Sequence, residues 1–286
     1  MNNEKIAVLT DSCSDIPEAL LRKYDIFKLP LKISFRDQTY TDGVDITPEE
    51  VCRRIKEELP KTSLPAPETV RSLFQEIYDR GYRKVFAIIF SSGLSGTYNL
   101  VRLVGEGFEG LEVCAVDTLS GSLGTGAIAL HVSELIEAGK SFETIRSIIP
   151  SLIKNTHVYF SIDTLEYLFK GGRIGKITAA AGTLLNVKPI LSFDSEGQLI
   201  NVAKVRGRKK SIQKMVELAA GHRKPGMRCK IMVANGGCPE EMLLVKEQYQ
   251  RLIPDHEALY EGEVDGTLSA HVGPHLLGAG ILVLED

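Results

Sequence analysis

Two short polar runs hold the residue types most suited to chemistry: Thr62-Ser63-Leu64-Pro65-Ala66-Pro67 and Ser91-Ser92-Gly93-Leu94-Ser95-Gly96-Thr97. The second follows an apolar run at 85–90 and precedes a helical pattern. Ser91, Ser92, Ser95 and Thr97 offer hydroxyl donors, while Gly93 and Gly96 let one stretch of backbone approach another. A strand that empties through such a loop into a helix gathers free N–H groups and the positive end of a helix dipole around one point. Hydroxyls hold a carboxylate or phosphate without adding charge of their own. The chemistry these runs predict is capture of the anionic head of a small ligand.

The elements that must position these loops follow from the apolar pattern. Ile6-Ala7-Val8-Leu9 reads as a buried strand ending in Thr10-Asp11-Ser12, and Asp15 as the N-cap of a helix with Pro17 in its first turn. One or two strands span 27–35. Thr47-Pro48-Glu49-Glu50 and Pro67-Glu68-Thr69 open two further helices. The strand at 85–90 leads to a helix over about 96–105, a strand at 111–116, and helices at 122–138 and 141–154. Strands alternating with helices imply a mainly parallel, Rossmann-like sheet with helices on both faces. Ligands of such sheets collect beyond the carboxyl ends of the strands, where Thr10-Asp11-Ser12, Ser91-Ser92-Gly93 and Asp117-Thr118-Leu119-Ser120-Gly121 converge. Any one of these loops reads equally well as simple helix capping; the convergence of three is what favours a site.

Past residue 155 the rhythm changes. Strands are expected at 158–162, 187–193, 199–205, 229–234, 257–263 and 279–284, with helices at 163–170, 207–220 and 239–252. Asp194-Ser195-Glu196-Gly197 makes a hairpin turn. Hairpins mixed with helices predict an α+β domain with a mixed sheet. The expected organisation is therefore an α/β domain over 1–155 carrying the polar loops and an α+β domain over 156–286.

Composition excludes several classes. A formal charge of −3 on 286 residues argues against a protein that grips nucleic acid. The five cysteines form no CxxC and fit a reducing compartment. The first residues carry no leader pattern, and no apolar stretch approaches the ~20 residues of a bilayer span. A soluble, cytoplasmic protein without an integral membrane segment is expected, and transient membrane contact stays compatible with it. Gly121-Ser122-Leu123-Gly124-Thr125-Gly126 has the glycine spacing of a P-loop, but Ala127-Ile128 stands where Lys-Ser/Thr is required. There is no GxGxxG after the first strand, no GxSxG elbow and no HExxH, so neither a cofactor nor a metal is expected.

Three further residues could serve an anion. Arg173, within Lys170-Gly171-Gly172-Arg173-Ile174-Gly175-Lys176, has a bidentate donor fork, although a solvated arginine after a helix C-cap reads as well. Arg206 ends a strand in the basic run 204–210, whose Lys209 and Lys210 fit a solvated face. His271, in Ala270-His271-Val272-Gly273-Pro274, which reads as a turn of strict geometry, could hydrogen-bond an anion or a serine hydroxyl.

In chain order, these segments resemble the DegV family, which includes the fatty-acid-binding subunits (FakB) of bacterial fatty acid kinase. The resemblance rests on Thr10-Asp11-Ser12, Asp15-Ile16-Pro17, Asp42-Gly43-Val44-Asp45-Ile46, Thr62-Ser63-Leu64-Pro65 and 91–97. It continues through Tyr167–Gly175, Val187-Lys188-Pro189-Ile190-Leu191, Arg206-Gly207-Arg208-Lys209-Lys210 and His271-Val272-Gly273-Pro274. It implies a non-catalytic protein that buries one long-chain fatty acid, its carboxylate at the domain interface and its tail in the C-terminal domain. A separate ATP-dependent kinase subunit would phosphorylate the bound carboxylate, feeding phospholipid synthesis. By position, Thr62 and Ser92 would be the direct carboxylate donors, in a ligand-binding set with Ser63, Ser91, Gly93, Thr97 and His271. Arg173 and Arg206 would face the head group and the kinase. Leu64, Ala66 and His275 depart from the family's usual pattern. The alternative is a phosphotransferase or acyl transferase acting through Ser92 or Ser95, with His271 as its base.

Overall fold

The computed structural model describes residues 2–177 and 187–285. The chain begins β1 (Ile6–Asp11), α1 (Glu18–Lys23), β2 (Phe27–Leu29), β3 (Lys32–Ser34), β4 (Thr39–Thr41), α2 (Pro48–Arg54) and β5 (Lys61–Ser63). It continues α3 (Pro67–Asp79), β6 (Lys84–Ile89), α4 (Thr97–Glu106), β7 (Glu112–Asp117), α5 (Leu123–Glu137) and α6 (Phe142–Lys154). The second half holds β8 (Thr156–Ser161), α7 (Glu166–Lys170), β9 (Val187–Phe193), β10 (Leu199–Arg206) and α8 (Arg208–Ala220). Then come β11 (Arg228–Gly236), α9 (Pro239–Leu252), β12 (Ala258–Glu263), α10 (Gly266–Val272) and β13 (Leu276–Leu284).

The expected fold class holds: a parallel four-stranded sheet in the order β2-β1-β6-β7, and a mixed six-stranded sheet in the order β10-β9-β8-β13-β11-β12. A small antiparallel sheet, β4-β3-β5, is inserted between β2 and β6 of the first sheet; of its strands only β3 falls within the strands expected at 27–35. Its strands are three residues each, too short for a period to register.

Alternation along the strands builds five layers. Ala7, Leu9, Val85, Ala87 and Ile89 face α3 and α4, while Ile6, Val8, Phe86 and Ile88 face α5 and α6. The far side of α5 meets one face of the six-stranded sheet, through residues such as Met232 and Leu282. The other face, with Ile231, Val233 and Ile281, packs on α8 and α9. Helix α5 is apolar nearly all round because it is covered on both sides. Capping sets helix starts where expected: the Thr47 hydroxyl accepts from Glu50 N–H, and the Ser141 hydroxyl from Thr144 N–H.

Two local expectations change. Asp15 does not cap α1; it adopts a left-handed conformation (φ 52°) after a 3-10 turn at Ser12–Ser14, and Pro17 takes the cap position. Its carboxylate is occupied elsewhere, by the Ser122 hydroxyl and by Asp265 N–H at 2.8 Å. His271 lies not in a turn but in the last turn of α10, which Gly273 ends with φ 73°. A Cβ on Gly273 would stand 2.4 Å from the Tyr167 ring, so this stop requires glycine twice over.

Candidate functional site

Strand β1 has β2 on one side and β6 on the other, so chain order reverses there and a crevice opens beyond the carboxyl ends. Two carboxylates shape the loop leaving β6. Asp11 accepts from Phe90 N–H at 2.9 Å, and Asp117 accepts from Ser92 N–H at 3.0 Å and Leu119 N–H at 3.1 Å. Burial raises the Asp11 carboxyl to about 7 against the pull of the Phe90 and Cys13 amides. The loop is clasped from the other half of the chain by the β9–β10 turn. The Ser91 hydroxyl donates to the Gly197 carbonyl (2.8 Å), and the Gln198 side-chain amide donates to the Gly93 carbonyl. A Cβ on Gly93 would lie 2.6 Å from the Glu196 carbonyl oxygen, so that contact exists only with glycine.

Helix α10 is set by acids as well. Asp265 caps it at Leu268 N–H (2.9 Å), and Asp42 accepts from Gly266 N–H (3.0 Å), Thr267 N–H (3.1 Å) and the Thr267 hydroxyl (2.6 Å). Burial and the nearby Asp42 and Asp15 carboxylates push the Asp265 carboxyl well up, and burial lifts Asp15 to about 6. At the other end of α10, His271 Nε2 stands 2.7 Å from Thr62 Oγ1 on β5. Burial, helped by the Arg173 charge, lowers His271 to about 4, so it is neutral at physiological pH. Its Nδ1, buried beside Gly171, has no hydrogen-bond partner among the described residues. A proton on Nδ1 would be an orphaned donor, so the proton belongs on Nε2 and donates to Thr62. The Thr62 hydroxyl proton is thereby left free to donate onward.

What lies in front of Thr62 is a cavity of about 410 Å³. Thr62, Ser63, Ser95, Arg173 and His271 gather at one end, where Leu64 touches both the cavity and solvent; Ser122 and Thr267 also line the cavity, their hydroxyls donating to Asp15 and Asp42. The remainder is apolar, floored by β8, β11 and β13 of the six-stranded sheet and roofed by the start of α5. A cavity of this size and polarity suits a ligand with one polar head and a long apolar body.

Of the residues picked out by sequence, Thr62, Ser63, His271 and Arg173 line this cavity together. Ser91, Ser92, Gly93 and Thr97 do not line it. Ser91 is spent on Gly197, Ser92 is held by its backbone to Asp117, Gly93 abuts the hairpin turn, and Thr97 is buried within 2.9 Å of Ser95 Oγ. Arg206, the exposed last residue of β10, also lies off the cavity wall. The loop residue that lines the cavity is Ser95, which the sequence offers as one of several hydroxyl donors and as a nucleophile but which the family resemblance leaves out of the ligand-binding set; its Oγ also lies 2.9 Å from Thr97 Oγ1. Arg173 donates to the Gly171 carbonyl (2.9 Å), folding its fork back toward the head end. Sequence reasoning missed the cavity's glycine floor, Gly278 and Gly280 on β13; two glycines on one face of an otherwise apolar strand were the available signal.

No helix among the described residues is long and apolar enough to cross a membrane, and no group of three or more His, Cys, Asp or Glu among them could hold a metal ion. The family model described as "Uncharacterised protein, DegV family" matches residues 5–284. A DegV domain-containing protein of Clostridium acetobutylicum is 40% identical over 278 residues, covering 97% of this chain and 99% of its own. A DegV family protein from Thermus thermophilus, described for its fatty acid binding, superposes with a TM-score of 0.89 at 30% identity, covering 99% of this chain and all of its own. DegV from Bacillus subtilis, described as a fatty acid binding protein, superposes at 0.88 and 30% identity over the same shares. Matched along nearly its whole length in sequence and in fold, the chain belongs to the DegV family.

Proposed function

We propose that this protein binds one long-chain fatty acid and presents its carboxylate to a separate ATP-dependent fatty acid kinase. The observation that carries the reading is a mainly apolar cavity with Thr62, Ser63, Ser95 and His271 together at one end, the hydroxyls of Ser122 and Thr267 elsewhere on its wall being taken up by Asp15 and Asp42. Thr62 and Ser95 donate to the carboxylate, His271 holds Thr62 in its donating state, and the tail lies between α5 and the six-stranded sheet. In this reading residues 1–155 supply most of the head-group hydroxyls and residues 156–286 most of the tail surface. Neutral donors suit a site that must hold a carboxylate before phosphorylation and an acyl phosphate after it. Arg173 and Arg206, near the head end and outside it, serve the kinase-bound state.

A self-contained transferase would need His271 beside a serine. Its Nε2 faces Thr62 instead, which favours the carrier reading. Native mass spectrometry of protein purified from cells tests it: a bound mass matching a fatty acid supports the carrier. Acyl phosphate should then form only when a kinase subunit and ATP are added. Turnover by the isolated protein would overturn it.

A further inference from the structure

On the cavity face of β13 the residues read Leu276, Gly278, Gly280, Leu282. Two consecutive side chains are missing between two leucines, which leaves a groove about 7 Å long at the strand's rise of ~3.4 Å per residue. Register sets its walls. Gly278 lies between Phe160 and Ala234, and Gly280 between Val158 and Met232. One step further, Leu282 is fully buried, and its neighbour Lys230 is paired with Glu134 of α5 and lies 3.2 Å from the Tyr260 hydroxyl. A tail lengthened past Gly280 would therefore have to displace a packed leucine and reach a buried ion pair. The end of the groove is covered by a flexible group. A Cβ placed on Gly280 would stand 3.0 Å from Met232 Cε and 3.3 Å from Val158 Cγ2. Met232 is 2% exposed, unbranched, and able to change rotamer without moving its backbone.

We infer that Met232, leaning over Gly280, sets the acyl chain length this protein accepts, with Leu282 as the fixed stop behind it. The inference rests on the fatty-acid reading of the cavity and adds the specificity-determining residue. A thioether plug tolerates tails differing by a methylene or two; a glycine at 280 is the condition for the tail to reach it at all.

The test is competition binding of myristic, palmitic, stearic and arachidic acids to wild-type protein and to Met232→Ala, Gly280→Ala and Gly280→Val, with thermal unfolding followed in parallel. Met232→Ala should move the optimum toward longer acids, and Gly280→Val toward shorter ones. Each methylene gained or lost changes affinity about fourfold. Gly280→Ala adds one methyl against the movable Met232 end and should shift the ranking in the same direction by less; it serves where the valine variant does not fold. Wild-type protein that binds none of the acids would remove the fatty-acid reading itself. Wild-type binding with an unchanged chain-length ranking in the folded variants would overturn the role of Met232 while leaving that reading intact.

Discussion

Replacing Thr62 by valine removes one hydroxyl while keeping the shape and β-branching that suit β5. In the wild-type arrangement the His271 N–H points at Thr62 Oγ1 across 2.7 Å, so the threonine proton is committed to the cavity. A hydrogen bond from that hydroxyl to a carboxylate contributes about 1.5–3 kcal/mol, which corresponds to a loss of roughly 10- to 150-fold in Kd. The valine also leaves the buried His271 N–H without its acceptor, which pushes the result toward the larger figure. Binding should still be measurable. A saturated tail of about sixteen carbons at ~0.8 kcal/mol per CH₂ supplies roughly 12 kcal/mol of gross transfer energy. Displacement of a fluorescent fatty acid gives the affinity, and Thr62→Ser, which restores the donor, should recover most of it. With His271 held near 4, the wild-type affinity should not change through titration of this imidazole between pH 5.5 and 8. A folded Thr62→Val variant binding within twofold of wild type would refute the hydroxyl assignment and the tautomer argument with it.

Ser95→Ala should weaken fatty acid retention by a similar factor while Ser92→Ala does so less, because Ser95 alone of the two lines the cavity; the reverse order in the same displacement assay would return the donor role to Ser92. Arg173→Ala and Arg206→Ala should keep much of the affinity yet lose most acyl phosphate formation with kinase and ATP, and full turnover by both variants would remove the arginines from the kinase-bound state. Asp265 should make stability pH-dependent: its carboxyl titrates higher folded than unfolded, so its contribution is complete below the unfolded pKa of about 3.9 and is lost as pH rises through the folded value. Asp265→Asn keeps the α10 cap without the charge, so urea unfolding followed upward from about pH 4 should show the variant gaining on wild type as pH rises; parallel curves would contradict this.

What the sequence made legible was chemistry tied to regular elements. The alternation of Ile6, Val8, Phe86 and Ile88 against Ala7, Leu9, Val85 and Ala87 announces a two-faced parallel sheet, and the hydroxyl loops fall at its carboxyl edge. What stayed hidden depends on long-range placement. Thr62 and His271 could each be singled out by type, but their pairing spans 209 residues and is set by Asp42 and Asp265 at the far end of α10. The choice among Ser91, Ser92 and Ser95 depends on which hydroxyl the β9–β10 turn consumes, and no local pattern carries that. Asp15 looked like a helix cap because Asx residues before a proline usually are; contact with Ser122 and Asp265 outweighed that local preference.

Strand β13 lies at the centre of the six-stranded sheet, hydrogen-bonded to β8 on one side and β11 on the other, yet it follows every other strand of that sheet in the chain. Synthesis is vectorial, so the ribosome makes the edges of this sheet before its middle. Until residues 276–284 are made, β8 and β11 have no shared partner strand, and the groove at Gly278 and Gly280 does not exist. In the proposed reading the fatty acid pocket is therefore complete only once β13 has paired with both neighbours. Strand order alone places the floor of that pocket last in the chain.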